Sequence, residues 1–160
     1  MERLIEELLL LAREDYQQLP VEVIDCNKLL NEICDELKLA FSYSPVKITV
    51  IHQEQWSLEA PLSVLKVVLT NIATNAMRYT KEGEVILTTY QNFFEVKDTG
   101  EGFDPEFLKH AFQPFSRAHH ENTKGFGLGL SIAKRFCDSY KWRIHLDSAP
   151  GEGSTFQIHT

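Results

Sequence analysis

Leu62-Ser63-Val64-Leu65-Lys66-Val67-Val68-Leu69-Thr70-Asn71-Ile72-Ala73-Thr74-Asn75-Ala76-Met77-Arg78-Tyr79-Thr80 carries two rows of residues at helical spacing. Val64, Val68, Ile72 and Ala76 form one apolar line, thickened by Leu65, Leu69 and Ala73, so that face must be buried. Asn71, Asn75 and Arg78 form a polar line beside it. Asparagine is a poor interior helix residue because its amide competes for backbone groups. Two of them in one row fit either a solvated face or a set of oxygen ligands and donors for Mg²⁺ and phosphates.

Working outward, Pro61 suits the first turn of this helix. Upstream, Leu29, Leu30, Ile33, Leu37 and Leu39 predict a helix from Asn27 to Phe41, with Asp25 or Asn27 as its N-cap. Lys47 to Ile51 reads as a strand. Arg3 to Asp15 has a wide apolar stripe, as in a capping helix or the end of a coiled coil, and Gln17 to Pro20 reads as a break. Downstream, Val85 to Tyr90 and Phe93 to Lys97 predict a hairpin about Gln91-Asn92. A short helix over Pro105 to Ala111, a longer one over Leu128 to Tyr140, and strands at Arg143 to Asp147 and Thr155 to His159 complete the reading.

Three further stretches offer chemistry, each weak alone. Asp98-Thr99-Gly100-Glu101-Gly102 places a lone carboxylate after an apolar run, as an ordinary turn or as an acceptor for an exocyclic amine such as adenine's. Gly125-Phe126-Gly127-Leu128-Gly129 opens a helix whose N-terminal N–H groups suit phosphate, without the Gly-Lys-Ser/Thr of a Walker A loop. Between them, Phe112-Gln113-Pro114-Phe115-Ser116-Arg117 and the stretch to Lys124 fit core anchors with an exposed loop, a lid over phosphates, or both. Adjacent His119 and His120 lack a further ligand pattern, so no transition metal is assigned.

In order, the asparagine helix, Asp98-x-Gly100-x-Gly102, Phe112-x-Pro114-Phe115-x-Arg117, Gly125-x-Gly127-x-Gly129 and Gly151-x-Gly153-Ser154-Thr155-Phe156 resemble the N, G1, F, G2 and G3 boxes of two-component sensor histidine kinases. The resemblance runs from about Val21 to Thr160 and implies their catalytic domain. That domain is a GHKL or Bergerat-type α+β sandwich, a mixed β-sheet packed against helices, shared with gyrase-, Hsp90- and MutL-type ATPases. It implies ATP and Mg²⁺ as cofactors, with Asn75 coordinating the metal. Asn71 and Arg78 would contact phosphates, Tyr79 would border adenine and Asp98 would bind its amine. Gly100 and Gly102 would shape the base pocket, and Gly127 and Gly129 would line the phosphates. Gly125, Leu128 and Thr155 complete the implied nucleotide contacts. Phe112 and Phe115 would brace the lid, while Arg117 and Lys124 would neutralise charge during transfer. Residues 1–20 resemble the end of a dimerisation and phosphoacceptor helix, and residues 21–160 the catalytic domain.

Two departures stand out. Arg78 occupies a position where lysine is common. Tyr140-Lys141-Trp142 replaces a glycine turn after the last helix, which argues against a left-handed cap there. None of His52, His110, His119, His120, His145 or His159 lies in a His-Glu-x-x-x-Pro type acceptor motif, so the phosphoryl acceptor is expected on a domain this sequence lacks. Implied partners are therefore ATP or ADP, the parent's own dimerisation domain and a response regulator, the parent being a homodimer. A gyrase-like ATPase or a nucleotide-dependent switch is the alternative.

At 160 residues, 43% hydrophobic and 24% charged, the chain has the composition of one globular domain with a short flanking element. A net charge of -7 argues against nucleic acid as a main partner. Cys26, Cys34 and Cys137 have neither disulfide nor zinc spacing and predict reduced thiols. No run reaches the roughly 20 apolar residues of a membrane span. A cytoplasmic domain is expected, on a parent anchored in the inner membrane.

Overall fold

The computed structural model describes residues 19–116 and 127–160. The predicted Arg3 to Asp15 helix, and Arg117, Lys124 and Gly125, lie outside the described residues. Five strands form one mixed sheet: β2 (Lys47–His52), β4 (Glu84–Tyr90), β5 (Phe93–Asp98), β6 (Arg143–Ala149) and β7 (Gly153–His159), in spatial order β2-β4-β5-β7-β6. Only the β2–β4 pair is parallel. Two short strands, β1 (Glu22–Asp25) and β3 (Ser57–Ala60), make a separate antiparallel pair. Neither shows in the hydrophobic pattern, because each is only four residues long and β1 is exposed except at Ile24.

Helices α1 (Cys26–Ala40), α2 (Leu62–Tyr79) and α4 (Gly129–Ser139) pack on one face of the large sheet, and α3 (Pro105–Leu108) is a single turn. Asp25 caps α1, accepting from the Lys28 N–H at 3.0 Å. The apolar stripe of α1 is Leu29, Leu30, Ile33 and Leu37; Leu39 falls off it and is 80% exposed. Along α2, Val64, Leu65, Val68, Leu69 and Ile72 are fully enclosed. They meet Val85, Leu87, Phe94, Val96, Phe156 and Ile158 from the alternating inward positions of the strands. Each such side chain contributes about 1.5–3 kcal/mol by leaving water. The outward positions, such as Glu95, Lys97, Thr155 and Gln157, are polar, which fits a sheet covered on one side.

The left-handed cap after α4 is present despite the missing glycine, correcting the sequence expectation. Lys141 has φ 60°, the Trp142 N–H donates to Cys137 O at 2.8 Å, and the Lys141 N–H donates to Asp138 O at 3.2 Å. This is the paired hydrogen-bond pattern of a Schellman motif. Burial of Trp142, 9% exposed, holds the turn against lysine's steric cost. The predicted helix at Pro105 is shorter than expected, ending at Leu108. All three cysteines are free and buried.

Candidate functional site

The candidate residues are arranged along α2, at its Tyr79 end and at its Asn71 turn. The step of eight positions from Asn71 to Tyr79 advances about 12 Å along the axis. At the Tyr79 end, β5 finishes on Asp98, which is 2% exposed. Its Oδ1 accepts from the Gly100 N–H at 2.9 Å and the Ser154 N–H at 3.2 Å. Two backbone donors on one oxygen fix the carboxylate from within the fold. Burial pushes its pKa above the ordinary 3.8, and the hydrogen bonds from Gly100 and Ser154 pull part of that back.

The loop after Asp98 leans on the end of α2. A Cβ at Gly100 would collide with the Tyr79 carbonyl and sit 2.9 Å from Thr80 Oγ1, so glycine is required by close approach. The Glu101 N–H donates to Tyr79 O at 3.2 Å, and the Thr80 hydroxyl donates to Ala76 O at 2.8 Å. Gly102 adopts φ 66°, with its α-carbon pressed on the Ala149 carbonyl. Tyr79 meets Phe103 edge-on at 5.1 Å, and Phe103 continues to Phe107 at 4.6 Å, giving this end an aromatic wall.

At the other end, Asn71 is 8% exposed, and its Nδ2 donates to Val67 O at 3.1 Å. Its Oδ1 faces the first turn of α4, where a Cβ on Gly129 would lie 2.8 Å away. Asn75, one turn on, is half-buried, and Arg78 is exposed. Leu128 occupies the N-cap of α4 and packs partly against the core. The Phe115 N–H donates to Gly127 O at 3.0 Å, and a Cβ at Gly127 would lie 2.7 Å from Ser116 O. Phe115 and Ser116 are thus held against Gly127. Phe112 packs against the core. Phe115 is 73% exposed with φ 62°, so it is no core anchor.

Tyr79, Asp98, Gly100 and Gly102 gather at one end of α2 and Asn71 and Gly129 meet further along it, while Thr155 joins neither group. It pairs with Lys97 and Asp147, on the sheet face opposite Asp98. Its neighbour Ser154 is the residue that pairs with Asp98. Sequence reading missed Ser154, although strand alternation from buried Phe156 and Ile158 puts Ser154, not Thr155, on the helix side. Among the described residues, no group of three His, Cys, Asp or Glu side chains gathers to hold a metal. Asn75 is half-buried one turn from Asn71 and has one side-chain oxygen that could serve as a metal ligand. That fits Mg²⁺, which is usually bound by few protein oxygens, with waters and phosphates completing its shell.

A mixed sheet layered on helices, with a buried carboxylate beside one end of α2 and two asparagines further along it, is the architecture of a two-layer ATPase-type domain. Residues 62–160 match the family described as histidine kinase-, DNA gyrase B-, and HSP90-like ATPase. The chain belongs to that family. Sensor protein SrrB of Staphylococcus aureus (strain NCTC 8325 / PS 47) is 35% identical over 175 residues, an alignment covering 99% of this chain and 29% of SrrB. The chain thus spans less than a third of the length of such relatives. Full-length ShkA, solved in complex with AMPPNP, superposes with a TM-score of 0.78 at 25% identity, covering 88% of this chain and 30% of ShkA. The Acinetobacter baumannii histidine kinase AdeS shares the fold, with a TM-score of 0.75 at 20% identity over 98% of this chain and 76% of its own.

Proposed function

We propose that this chain holds Mg²⁺-ATP and presents its γ-phosphoryl to a histidine on the dimerisation domain of a longer sensor kinase, for relay to a response regulator. The single observation that carries the reading is Asp98. It is a buried carboxylate fixed by two backbone N–H groups on Oδ1, so Oδ2 is the oxygen able to accept from an adenine amine. Tyr79, Gly100 and Gly102 border the base. The phosphates lie toward Asn71, Arg78, Gly127, Leu128 and Gly129, and the N-terminus of α4 adds its partial positive charge.

Asn75 would hold the Mg²⁺, which neutralises charge on the phosphate oxygens when bound. Residues 117–126, including Arg117, Lys124 and Gly125, form the lid in this reading, with Phe112 and Phe115 at its base. Phosphoryl transfer asks a protein mainly for positioning and charge neutralisation, and these residues provide both. Thr155 is replaced in the proposed site by Ser154. Residues 1–20 are assigned to the end of the dimerisation helix and residues 21–160 to the catalytic domain. The parent is proposed to be a homodimer anchored in the inner membrane with this domain in the cytoplasm; no helix among the described residues is long and apolar enough to cross a membrane.

The test supplies an acceptor domain in trans with γ-labelled ATP. Phosphohistidine is the expected product. Free phosphate alone would assign a gyrase-like ATPase, and nucleotide binding with neither product would assign a switch.

A further inference from the structure

We propose that Ser148, outside all five sequence boxes, is a positioning residue that keeps the Asp98 carboxylate open to a purine amine. The inference rests on the reading of Asp98 given above. Ser148, Ser154 and Asp98 are direct neighbours across β6, β7 and β5, on the helix-facing side of the sheet. Ser148 Oγ donates to the Gly153 carbonyl at 2.8 Å, accepts from the Phe103 N–H at 2.9 Å, and lies 3.0 Å from Ser154 Oγ.

A hydroxyl has one proton and two lone pairs. With its proton on Gly153, Ser148 can only accept from Ser154, which completes its capacity. Ser154 stands directly opposite Asp98 and is bonded to it through its backbone N–H, so Ser148 decides whether the Ser154 hydroxyl turns away from the carboxylate or toward it. Drawn to Ser148, it leaves the carboxylate's remaining capacity to the ligand. Released, it donates to Asp98 and, by drawing off part of the carboxylate's charge, weakens it as an acceptor for the amine. The same oxygen ties the Phe103 end of the base loop to the Gly153 turn, so one atom orders both sides of the base pocket.

The experiment measures dissociation constants for ATP and for purine riboside triphosphate, which lacks the exocyclic amine, by calorimetry. The readout is the ratio between the two. In Ser148→Ala the preference for ATP is expected to fall about fivefold, the worth of one net hydrogen bond. Ser148→Thr keeps the hydroxyl and should keep the ratio. Ser148→Ala combined with Ser154→Ala removes the Ser154 proton and should restore it.

Equal weakening of both nucleotides in Ser148→Ala, with an unchanged ratio, would reduce Ser148 to a structural residue and overturn the proposal. Should Ser148→Ala not fold, Ser154→Ala alone decides: an unchanged ratio is expected because that proton is already spent on Ser148, and a lowered ratio overturns the idea. Asp98→Asn in the same assay separates the two layers. If its ratio equals that of the unmodified chain, the reading of Asp98 fails, whatever Ser148 does.

Discussion

Replacing Asp98 with asparagine should exchange the base that the site accepts. The side chain is 2% exposed, and Oδ1 already holds the Gly100 and Ser154 N–H groups at 2.9 and 3.2 Å. An asparagine at this position keeps those bonds only by placing its carbonyl oxygen there, which points its NH₂ at the ligand. Against adenine the result is donor facing donor. The lost hydrogen bond to a charged acceptor is worth about 1.5–3 kcal/mol, and the stranded buried donor adds about 1–3 kcal/mol. Even the low end, about 2.5 kcal/mol, predicts an ATP affinity loss of about 60-fold. Inosine triphosphate, whose O6 is an acceptor, should instead gain affinity in Asp98→Asn. Calorimetric titration with both nucleotides reads the exchange, and a melting curve checks folding. A well-folded Asp98→Asn protein that binds ATP within about threefold of the unmodified chain would refute the assignment of Asp98.

Four other perturbations test separate parts of the structure. Because burial raises the Asp98 pKa above 3.8, the folded state favours the protonated acid. This group's favourable contribution to stability is complete below pH 3.8 and is lost as pH rises through the raised pKa, so Asp98→Asn should be the more stable protein at neutral pH, by a margin that closes toward pH 3.8 in denaturant titrations. Asn75→Ala should weaken Mg²⁺-dependent ADP binding by about tenfold or more while leaving metal-free binding unchanged, and normal Mg²⁺-ADP affinity in calorimetry would contradict the metal assignment. Gly129→Ala puts a methyl 2.8 Å from Asn71 Oδ1 and should cost about 1–3 kcal/mol of stability, which the double change with Asn71→Ala should largely recover. Lys141→Gly relieves about 1–2 kcal/mol of left-handed strain against about 0.5–1 kcal/mol of added chain entropy, so the melting temperature should rise by about 2 °C.

The elements with strong periodicity were legible, and those whose form depends on partners were not. The α2 pattern had enough apolar residues per turn to set both its length and its buried face, and the structure runs it from Leu62 to Tyr79. The hairpin from Glu84 to Asp98 was legible for the same reason, through alternation on both sides of Gln91-Asn92. β1 and β3 exist because they pair with each other, at positions such as Ile24 against Leu58. Four-residue segments with one buried side chain leave too little pattern to detect. The cap at Lys141 fails the local rule for a similar reason. Propensity counts the steric cost of a left-handed lysine, whereas the fold weighs it against burying Trp142 and against two hydrogen bonds.

The glycines show where motif reading reaches its limit. From sequence, Gly127 and Gly129 clear a path for phosphate, and Gly100 and Gly102 let backbone approach a base. In the structure each of these four positions is also filled by the protein itself: Ser116 at Gly127, Asn71 at Gly129, Tyr79 at Gly100 and Ala149 at Gly102. The boxes therefore depend on one another sterically before any ligand arrives. Their order along the chain is informative because these contacts join the asparagine helix to two loops and Ser116 to the glycine turn before α4. The same limit separates Thr155, which the motif reading names, from Ser154, which pairs with Asp98. A motif lists residues without saying which face of a strand each one takes, and the register of β7 against β5 supplies that. Asp98 and Asn71 are thus placed by contacts their motifs do not encode, so substitutions at Gly100 or Gly129 should disturb nucleotide binding through these two side chains, without removing any ligand-contacting atom.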